Sequence, residues 1–177
     1  SLVSDGGAAV VITRKERAVD GPHKPILILG YGEGHAYEHI SQATDLTTSA
    51  AVDSGRAAYA QAAMQADDID MLQLYDCFTP ALLIQLEDLG FCAKGEAGAW
   101  LATGITKPGG NKPLNSHGGM LSYCHPGNPG AMFGLTEAML QMRGAAGERQ
   151  LPRTRTALCH AQGGIMSSHA TLILGVD

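Results

Sequence analysis

The sequence has no apolar run of about 18 residues, the length that a transmembrane helix needs, and no basic segment followed by an apolar stretch. We therefore expect neither a membrane span nor a signal peptide. It also has no excess of basic residues, because 17 Asp and Glu outnumber 12 Lys and Arg and the net charge is −5. This balance gives no reason to expect binding to nucleic acid or to an anionic membrane.

Cysteines and aromatic residues are both scarce. The four cysteines, Cys77, Cys92, Cys124 and Cys159, are too few for a disulfide scaffold in a chain of 177 residues. We therefore interpret them as reduced thiols of a cytoplasmic protein. Aromatic residues make up 5% of the chain, whereas 45% is hydrophobic and 23 residues are glycine. This composition favours helices packed closely on a sheet, within one domain that has a sizeable core.

An initiator methionine is missing as well, since the chain opens with SLVSDGGAAVVITRKE. Val3 and residues 8–13 have the apolar composition of a buried strand, interrupted by a pair of glycines. A domain that opens in this manner looks like a part of a longer protein. We therefore expect the chain to be a piece of one.

Hydrophobic periodicity and turn residues predict an alternation of strands and helices. The predicted elements are, in chain order, strands at 8–13 and 24–34, a helix at 47–66, a strand at 69–74, a helix at 79–90, an irregular segment at 92–113, a helix at 132–144 and two strands within 153–175. The last two strands, joined by a turn at Gly163 and Gly164, are expected to form an antiparallel pair at an edge of the sheet. The alternation predicts a layered α/β domain.

The segment SYCHPGNPG, residues 122–130, places a histidine in a rigid loop. Pro126 restricts His125 to an extended backbone, and the glycines and the second proline lead directly into a predicted helix. A helix N-terminus favours negative charge. Two interpretations follow: His125 stabilises an oxyanion or moves a proton, or it is a hydrogen-bonded structural histidine in a tight turn.

A second polar cluster, Tyr75, Asp76 and Cys77, stands where a predicted strand ends and a predicted helix begins. Ligands of open α/β sheets gather at the carboxyl ends of strands, which favours a functional site here. The alternative is that Asp76 merely caps the helix and that Tyr75 is a half-buried packing residue.

A third cluster, Cys159 and His160, adjoins the turn at Gly163 and Gly164. A thiol near a histidine can act as a nucleophile or as an acid and base. Adjacent residues of a strand point to opposite faces of a sheet, so these two side chains cannot face the same site. His125 is then the alternative partner for Cys159. His169 is interpreted as a polar edge residue.

Two further patterns are not interpreted as sites. GYGEGH follows a predicted strand but lacks the G-x-G-x-x-G spacing of a dinucleotide-binding loop. His35, His39 and His117 invite a zinc interpretation, but the sequence has no C-x-x-C motif. We therefore expect neither a dinucleotide nor a bound metal.

Taken together, the three clusters resemble the C-terminal half of the thiolase superfamily. Thiolases have an Asn-Glu-Ala-Phe stretch at a strand end, then a Gly-His-Pro loop, then a Cys-x-Gly stretch near the C-terminus. The counterparts here are YDCF at 75–78, CHP at 124–126 and CHAQGG at 159–164, in the same order. The resemblance implies that residues 1–13 are the last strand of a missing N-terminal half and that 14–177 form the thiolase C-terminal domain. The implied α/β fold has a layered mixed sheet with helices on both faces.

The sequence departs from the thiolase pattern at Tyr75, Cys124 and Ala161, where thiolases have Asn, Gly and Gly. With these departures it is most similar to the lipid-transfer-protein branch, which includes the thiolase part of sterol carrier protein X. Some members of that branch are retro-aldolases that cleave a hydroxyacyl-CoA and use tyrosines. Tyr75 and Tyr123 stand where such tyrosines would be expected.

The resemblance also implies roles for individual residues. His125 would polarise a thioester carbonyl where negative charge develops. In a thiolase, Cys159 would act as the acid and base, whereas in an aldolase Tyr123 or Tyr75 would take a hydroxyl proton and Cys159 would be idle. The implied substrate-binding residues are Asp76, Gly163 and Gly164.

The implied function is that of the C-terminal half of a thiolase-like acyl-CoA enzyme, which performs acyl transfer or carbon–carbon cleavage on a coenzyme A thioester. The thiolase nucleophile belongs to the missing half, so we expect the isolated chain to be inactive. We expect no covalently bound cofactor, and a homodimer either alone or with a small partner subunit. The alternatives are a retro-aldolase that uses Tyr75 and Tyr123, and a non-catalytic subunit that binds acyl-CoA or lipid.

Overall fold

A four-stranded mixed sheet organises the computed structural model, which describes residues 1–176. The strands are β1 Leu27–His35, β2 Met71–Leu74, β3 Thr156–Gly163 and β4 Ser168–Gly175. They lie in the order β1-β4-β3-β2. Strand β3 is parallel to β2 and antiparallel to β4, which is in turn antiparallel to β1. The structure confirms the predicted α/β class and mixed sheet.

Helices cover both faces of the sheet, as predicted. Those described within residues 1–176 are α1 Lys15–Ala18, α2 Ala51–Ala62, α3 Thr79–Asp88, α4 Ala97–Ala102, α5 Gly119–Ser122 and α6 Gly130–Met142, with 3-10 turns at Ile40–Gln42, Ala66–Asp68 and Gly147–Arg149. Helices α2, α3 and α6 confirm the three predicted helices, whereas α4 lies in the segment predicted to be irregular. In this part of the chain no helix has the length and apolar character needed to cross a membrane.

The sheet separates two apolar cores. On one face Leu72, Leu158 and Ile173 pack against α2, α3 and α4. On the other face Met71 and Ala157 pack against α6. Side chains of adjacent strand residues therefore enter different cores, because successive residues of a strand alternate between the faces.

Helix α2 approaches strand β1 closely because of three glycines. A Cβ atom added to Gly30, Gly32 or Gly34 would overlap a main-chain carbonyl oxygen on α2 or at its N-cap. Two strand residues rise by about 6.6 Å and four helical residues by about 6.0 Å, so alternate residues of β1 meet successive turns of α2. The GYGEGH pattern is therefore a packing surface for the helix.

The last two strands occupy the centre of the sheet, and the prediction that they form an edge pair is wrong. Their antiparallel pairing is confirmed, with a turn at residues 164–167. The apolar runs at 157–159 and 172–174 are buried on both faces except at Leu172, which is half-buried, and such runs are typical of central strands. Strands β1 and β2 lie at the edges instead.

Residues 8–13 form no strand within the described chain, so the prediction of a buried strand there is wrong. Val11 and Ile12 are 94% and 74% exposed. Upstream, Val3 makes an isolated parallel bridge to His125. An extended apolar segment forms a strand only where a neighbouring strand accepts its hydrogen bonds. The assignment of residues 1–13 to a missing N-terminal half stays a prediction.

A chain of hydrogen bonds is buried on the α2 side of the sheet. It joins Ser54 Oγ to Thr171 Oγ1 at 2.9 Å, Thr171 Oγ1 to His160 Nδ1 at 2.9 Å, and His160 Nε2 to His169 Nδ1 at 2.9 Å. His169 Nε2 lies 3.1 Å from the carbonyl oxygen of Met166. His169 is therefore buried rather than the edge residue that the sequence suggested.

Each hydrogen bond between the two histidines and their partners has a defined donor. His169 Nε2 must donate, because the Met166 carbonyl can only accept. Burial lowers the pKa of both histidines, so both imidazoles are neutral at pH 7. His169 Nδ1 is then an acceptor, so His160 donates through Nε2 and accepts at Nδ1 from Thr171.

Acid should destabilise the fold through these two histidines. Burial, reinforced by His169, lowers the pKa of His160 to about 3, and burial also lowers the pKa of His169. The unfolded chain binds more protons below its ordinary histidine pKa of about 6.5, so stability falls as the pH drops from about 6.5 towards 3. Urea unfolding between about pH 7 and pH 5, where carboxylates stay ionised, measures this loss. His23→Asn, at an exposed histidine, should leave the slope unchanged, and a wild-type stability that stays constant over this range would contradict the assignment.

Replacing Gly32 by alanine should destabilise the protein by about 1–3 kcal/mol, because the new methyl group forces α2 away from β1. Gly7→Ala is the matched control, since a Cβ at Gly7 meets nothing within 4 Å. Chemical denaturation of the two variants measures the difference. Equal stabilities would show that α2 can move without cost.

Candidate active site

Tyr75 and His125, two of the residues predicted to be catalytic, meet at the carboxyl ends of β2 and β3. Strands β2 and β3 are parallel, with Leu74 opposite His160, so their carboxyl ends point the same way. Tyr75 follows β2 directly, and β3 continues beyond this level to Gly163. The loop that carries His125 contacts Tyr75 at the same ends of the strands. This is the position at which α/β sheets bind ligands.

Tyr75 and His125 form the central pair of the site. Tyr75 Oη lies 2.6 Å from His125 Nε2, and the two rings meet edge to face with centroids 5.7 Å apart. Burial raises the pKa of Tyr75, and the neighbouring Cys77 and Asp76 raise it further. The phenol is therefore protonated at neutral pH, and the tautomer of His125 decides which of the two groups is the donor. The pairing of these two predicted residues is the main feature of the site.

Asp76 supports the loop beside this pair. Its carboxylate accepts a 2.6 Å hydrogen bond from the main-chain N–H of Met120, in α5. Gly119 has φ 65°, and a Cβ atom there would overlap the carboxylate. Asp76 was expected to contact substrate, but it is only 5% exposed and its oxygens are engaged beneath α5. The structure differs here because a buried carboxylate binds the free N–H groups of a helix start.

Asn115 fixes the end of β2 and was not identified from the sequence. Its side-chain oxygen accepts from Leu74 N at 2.8 Å and its side-chain nitrogen donates to Leu74 O at 2.9 Å. Leu114 also makes a parallel bridge to Leu72, so this segment extends the sheet by a short pairing. Asn115 has φ 48°, a left-handed backbone that asparagine tolerates better than most residues. Its place after the PL dipeptide is a weak sequence signal for such a turn.

Two glutamines, the buried Gln85 and the half-buried Gln162, connect β3 to the segment after β2. Gln85 Nε2 donates to Tyr75 O at 2.8 Å and to Gln162 Oε1 at 3.1 Å. Gln162 Nε2 in turn lies 3.7 Å from Cys77 Sγ. Sequence reasoning missed both residues, although a glutamine within the apolar stretch ALLIQLEDL of α3 is a detectable signal.

Cys159 lies in the core rather than beside His125. Its side chain belongs to the apolar cluster against α6, and burial raises the pKa of the thiol to about 12. The thiol is therefore neutral and enclosed, and the structure does not place it for the predicted acid and base role. His160 contributes instead to the hydrogen-bond chain on the α2 side, which confirms that the two neighbours face opposite ways.

Tyr123 stands at the surface of the site, 56% exposed, directly after α5. Its ring meets that of His117 edge to face at a centroid distance of 5.7 Å and that of Phe133 at 6.2 Å. The exposed tyrosine is thus held between two aromatic rings. It lies on the same loop as His125 and forms part of the candidate site.

Gly163 and Gly164 lie at the end of β3 and the start of the hairpin turn. Gly164 has φ 57°, and a Cβ atom at Gly163 would meet nothing within 4 Å, so the main chain is open there. Their contact with substrate stays a prediction. Among residues 1–176 no three His, Cys, Asp or Glu side chains form a group that could hold a metal ion.

Comparison with known proteins identifies the family. Residues 32–176 match the family model described as thiolase C-terminal domain-like. The chain is 40% identical to the steroid side-chain-cleaving aldolase of Thermomonospora curvata, over 98% of this chain and 44% of that protein. It is 31% identical to the acetyl-CoA acetyltransferase of Methanothermobacter thermautotrophicus, over 93% of this chain and 43% of that protein.

A solved structure has the same fold. The structure of the Ltp2-ChsH2(DUF35) aldolase superposes with a TM-score of 0.82 and 38% identity, over 92% of this chain and 42% of that one. The chain therefore spans less than half the length of the relatives described here.

Removing the Asp76 carboxylate should loosen the loop. Asp76→Ala should lower the stability by about 1.5–3 kcal/mol, because a charged hydrogen bond is lost and the N–H of Met120 stays unpaired. Hydrogen exchange at Met120 and Leu121 should accelerate in the same variant. Asp53→Ala is the control, since its ion pair with Arg56 is exposed. Unchanged exchange at the two amides would contradict the supporting role.

Proposed function

The chain belongs to the thiolase superfamily as a thiolase C-terminal domain-like protein, and we propose that it is the C-terminal half of an enzyme that cleaves a carbon–carbon bond in an acyl-CoA thioester. We infer the retro-aldol form of this reaction, in which the substrate carries a hydroxyl on the carbon β to the thioester. The observation that carries the proposal is the 2.6 Å contact between Tyr75 and His125, formed while Cys159 is enclosed in the core. The name of the Thermomonospora curvata relative supports the same chemistry.

The chemistry requires one base and one acid. A base removes the hydroxyl proton, the bond between the α and β carbons breaks, and its electron pair moves to the α carbon and the thioester carbonyl as an enolate. An acid then protonates the α carbon. Donors near the carbonyl oxygen stabilise the negative charge that develops there.

The two tyrosines differ in the way these roles require. The raised pKa of Tyr75 suits an acid. In this role His125 Nε2–H donates to Tyr75 Oη, so the phenol proton is free for the substrate and the same hydrogen bond stabilises the phenolate that remains. The exposed Tyr123 suits the base that meets the substrate hydroxyl. The two tyrosines differ in exposure, since Tyr75 is half-buried and Tyr123 is largely exposed.

Thiolase acyl transfer is the competing chemistry, and it is supported by the acetyltransferase relative. It would need Cys159 as an acid and base at the substrate. A thiol with a pKa raised to about 12 inside an apolar cluster does not suit that role. The buried thiol therefore favours the aldolase proposal.

The rest of the enzyme is proposed on the same basis. The substrate is a coenzyme A thioester, and the N-terminal half would complete the site, so the isolated chain would be inactive. A homodimer with a small partner subunit fits the solved relative, whose name, Ltp2-ChsH2(DUF35) aldolase, includes a second component. The proposed location is the cytoplasm.

Tyr75→Phe, made in the full-length protein, should lower kcat for a β-hydroxyacyl-CoA by about 10²–10³-fold, because the proton donor is lost. Cys159→Ala should keep kcat within a few fold and lower the stability by about 1–2 kcal/mol, because only packing is lost. Chromatographic measurement of the shortened acyl-CoA product gives both rates.

Cys92→Ala, at a half-buried thiol in the loop after α3, controls for general effects of removing a cysteine. The aldolase proposal fails if the protein instead thiolyses a β-ketoacyl-CoA and Cys159→Ala abolishes that activity. Full activity of Tyr75→Phe would also contradict it.

A further inference from the structure

The first six described residues, called segment 1–6 below, cross the candidate site although the mechanism above does not use them. Leu2 and Val3 are 63% and 96% exposed, so their side chains add little to either apolar core. The segment is held instead by hydrogen bonds and by one close contact with α6. These contacts therefore point to a role at the site rather than in the core.

The main chain of His125 is bound to this segment. The His125 N–H donates to Leu2 O at 2.8 Å and also lies 3.2 Å from Ser4 Oγ, which accepts from the same group. The next residue, Pro126, has no N–H, so the His125 amide is the one main-chain donor of this His-Pro pair. Segment 1–6 therefore takes the hydrogen bond that fixes the main chain directly at the histidine.

Two further contacts hold the segment on either side of His125. At one end, Ser1 Oγ donates to the carbonyl oxygen of Cys77 at 3.0 Å. At the other end, a Cβ atom at Gly6 would lie only 2.9 Å from Phe133 on α6 and 3.5 Å from Pro126. The absence of a side chain at Gly6 thus lets the main chain lie against the helix. The segment connects the end of β2, next to Tyr75, with the loop that carries His125.

The contact between Tyr75 and His125 depends on where the His125 main chain lies. Tyr75 Oη and His125 Nε2 are 2.6 Å apart, and a hydrogen bond weakens steeply as its distance and angle depart from ideal values. A misplacement of about 1 Å at a catalytic group can cost about 10²-fold in rate. Asp76 holds the helix that precedes His125, whereas segment 1–6 acts on His125 itself.

We propose that segment 1–6 positions His125 for carbon–carbon cleavage, with Ser4 and Gly6 as positioning residues; the inference rests on the proposed function. Ser4 binds the His125 amide, and Gly6 lets the segment lie against α6. Both residues act through His125, whose Nε2–H in turn holds Tyr75 as the acid. The proposal adds no chemical step to the reaction.

The first test uses Gly6→Val in the full-length protein, with a β-hydroxyacyl-CoA as the probe. The new side chain overlaps Phe133 and moves the segment, so kcat should fall by about 10–10²-fold. Gly7→Val is the matched control, because a Cβ atom at Gly7 meets nothing within 4 Å, and it should keep the wild-type kcat. Equal rates for the two valine variants would overturn the proposal.

Ser4 provides a milder variant that creates no overlap. Ser4→Ala should lower kcat by about 3–10-fold, the loss expected when one neutral hydrogen bond no longer holds the reacting arrangement. Ser4→Thr restores the hydroxyl and should recover most of the rate. An unchanged kcat for Ser4→Ala, or a failure of threonine to recover it, would contradict the role of Ser4.

A double-mutant cycle separates positioning from a general structural role. A residue that acts through His125 should have no further effect once the imidazole is absent. Gly6→Val should therefore leave the residual kcat of His125→Ala unchanged. A loss by the same factor in both backgrounds would show that Gly6 acts independently of the histidine, which would overturn the proposal.

A last measurement does not depend on turnover. Nitrogen-15 NMR signals of the His125 ring, identified by their loss in His125→Ala, report the hydrogen bond to Tyr75. Gly6→Val should shift them in the direction seen in Tyr75→Phe, and unchanged signals would overturn the positioning role. A wild type that cleaves no β-hydroxyacyl-CoA, but whose His125 signals respond to Gly6→Val, would instead show that the proposed function is wrong while the positioning role is correct.

Discussion

The candidate site depends on one hydrogen bond, from the main-chain N–H of Met120 to the carboxylate of Asp76. Tyr75 and His125 are 50 residues apart in the chain, and the segment between them includes α3, α4 and α5. Asp76 follows Tyr75 in the chain and accepts a hydrogen bond from α5, the short helix that precedes His125. Because the carboxylate occupies the space where a side chain of residue 119 would lie, only a glycine there allows the loop to reach the sheet. The tyrosine–histidine pair follows from this support.

Side chains on the two faces of the sheet, and at the carboxyl ends of its strands, lie in different chemical environments. Cys159 points into the apolar core under α6, where burial keeps its thiol protonated. His160, one residue later, points into the polar chain under α2. Tyr75, which follows the end of β2, and the exposed Tyr123 lie outside both cores. A thiolase-like sequence pattern therefore coexists with an enclosed cysteine, and the two candidate tyrosines lie at the carboxyl ends of the strands.

The sequence predicted the features that local patterns determine. Periodicity located α2, α3 and α6, and the His-Pro loop together with the strand-end tyrosine located the central pair. The central position of β3 and β4 was not predictable from local patterns. A hairpin is central only because other strands pair with it on both sides, and here these strands are β1 and β2. Asn115 and Gln85 were missed for a related reason, since each acts through main-chain groups distant in sequence. The core position of Cys159 was also not predictable, because it depends on which face of the sheet α6 covers.

The hydrogen-bond chain on the α2 side of the sheet runs in one direction and cannot conduct protons. Proton conduction along such a chain requires every member to release one proton as it receives another, and the last acceptor must be able to pass a proton on. Here the last acceptor is the Met166 carbonyl, which keeps no proton at any accessible pH. Protons released at the carboxyl ends of β2 and β3 therefore cannot leave along this chain.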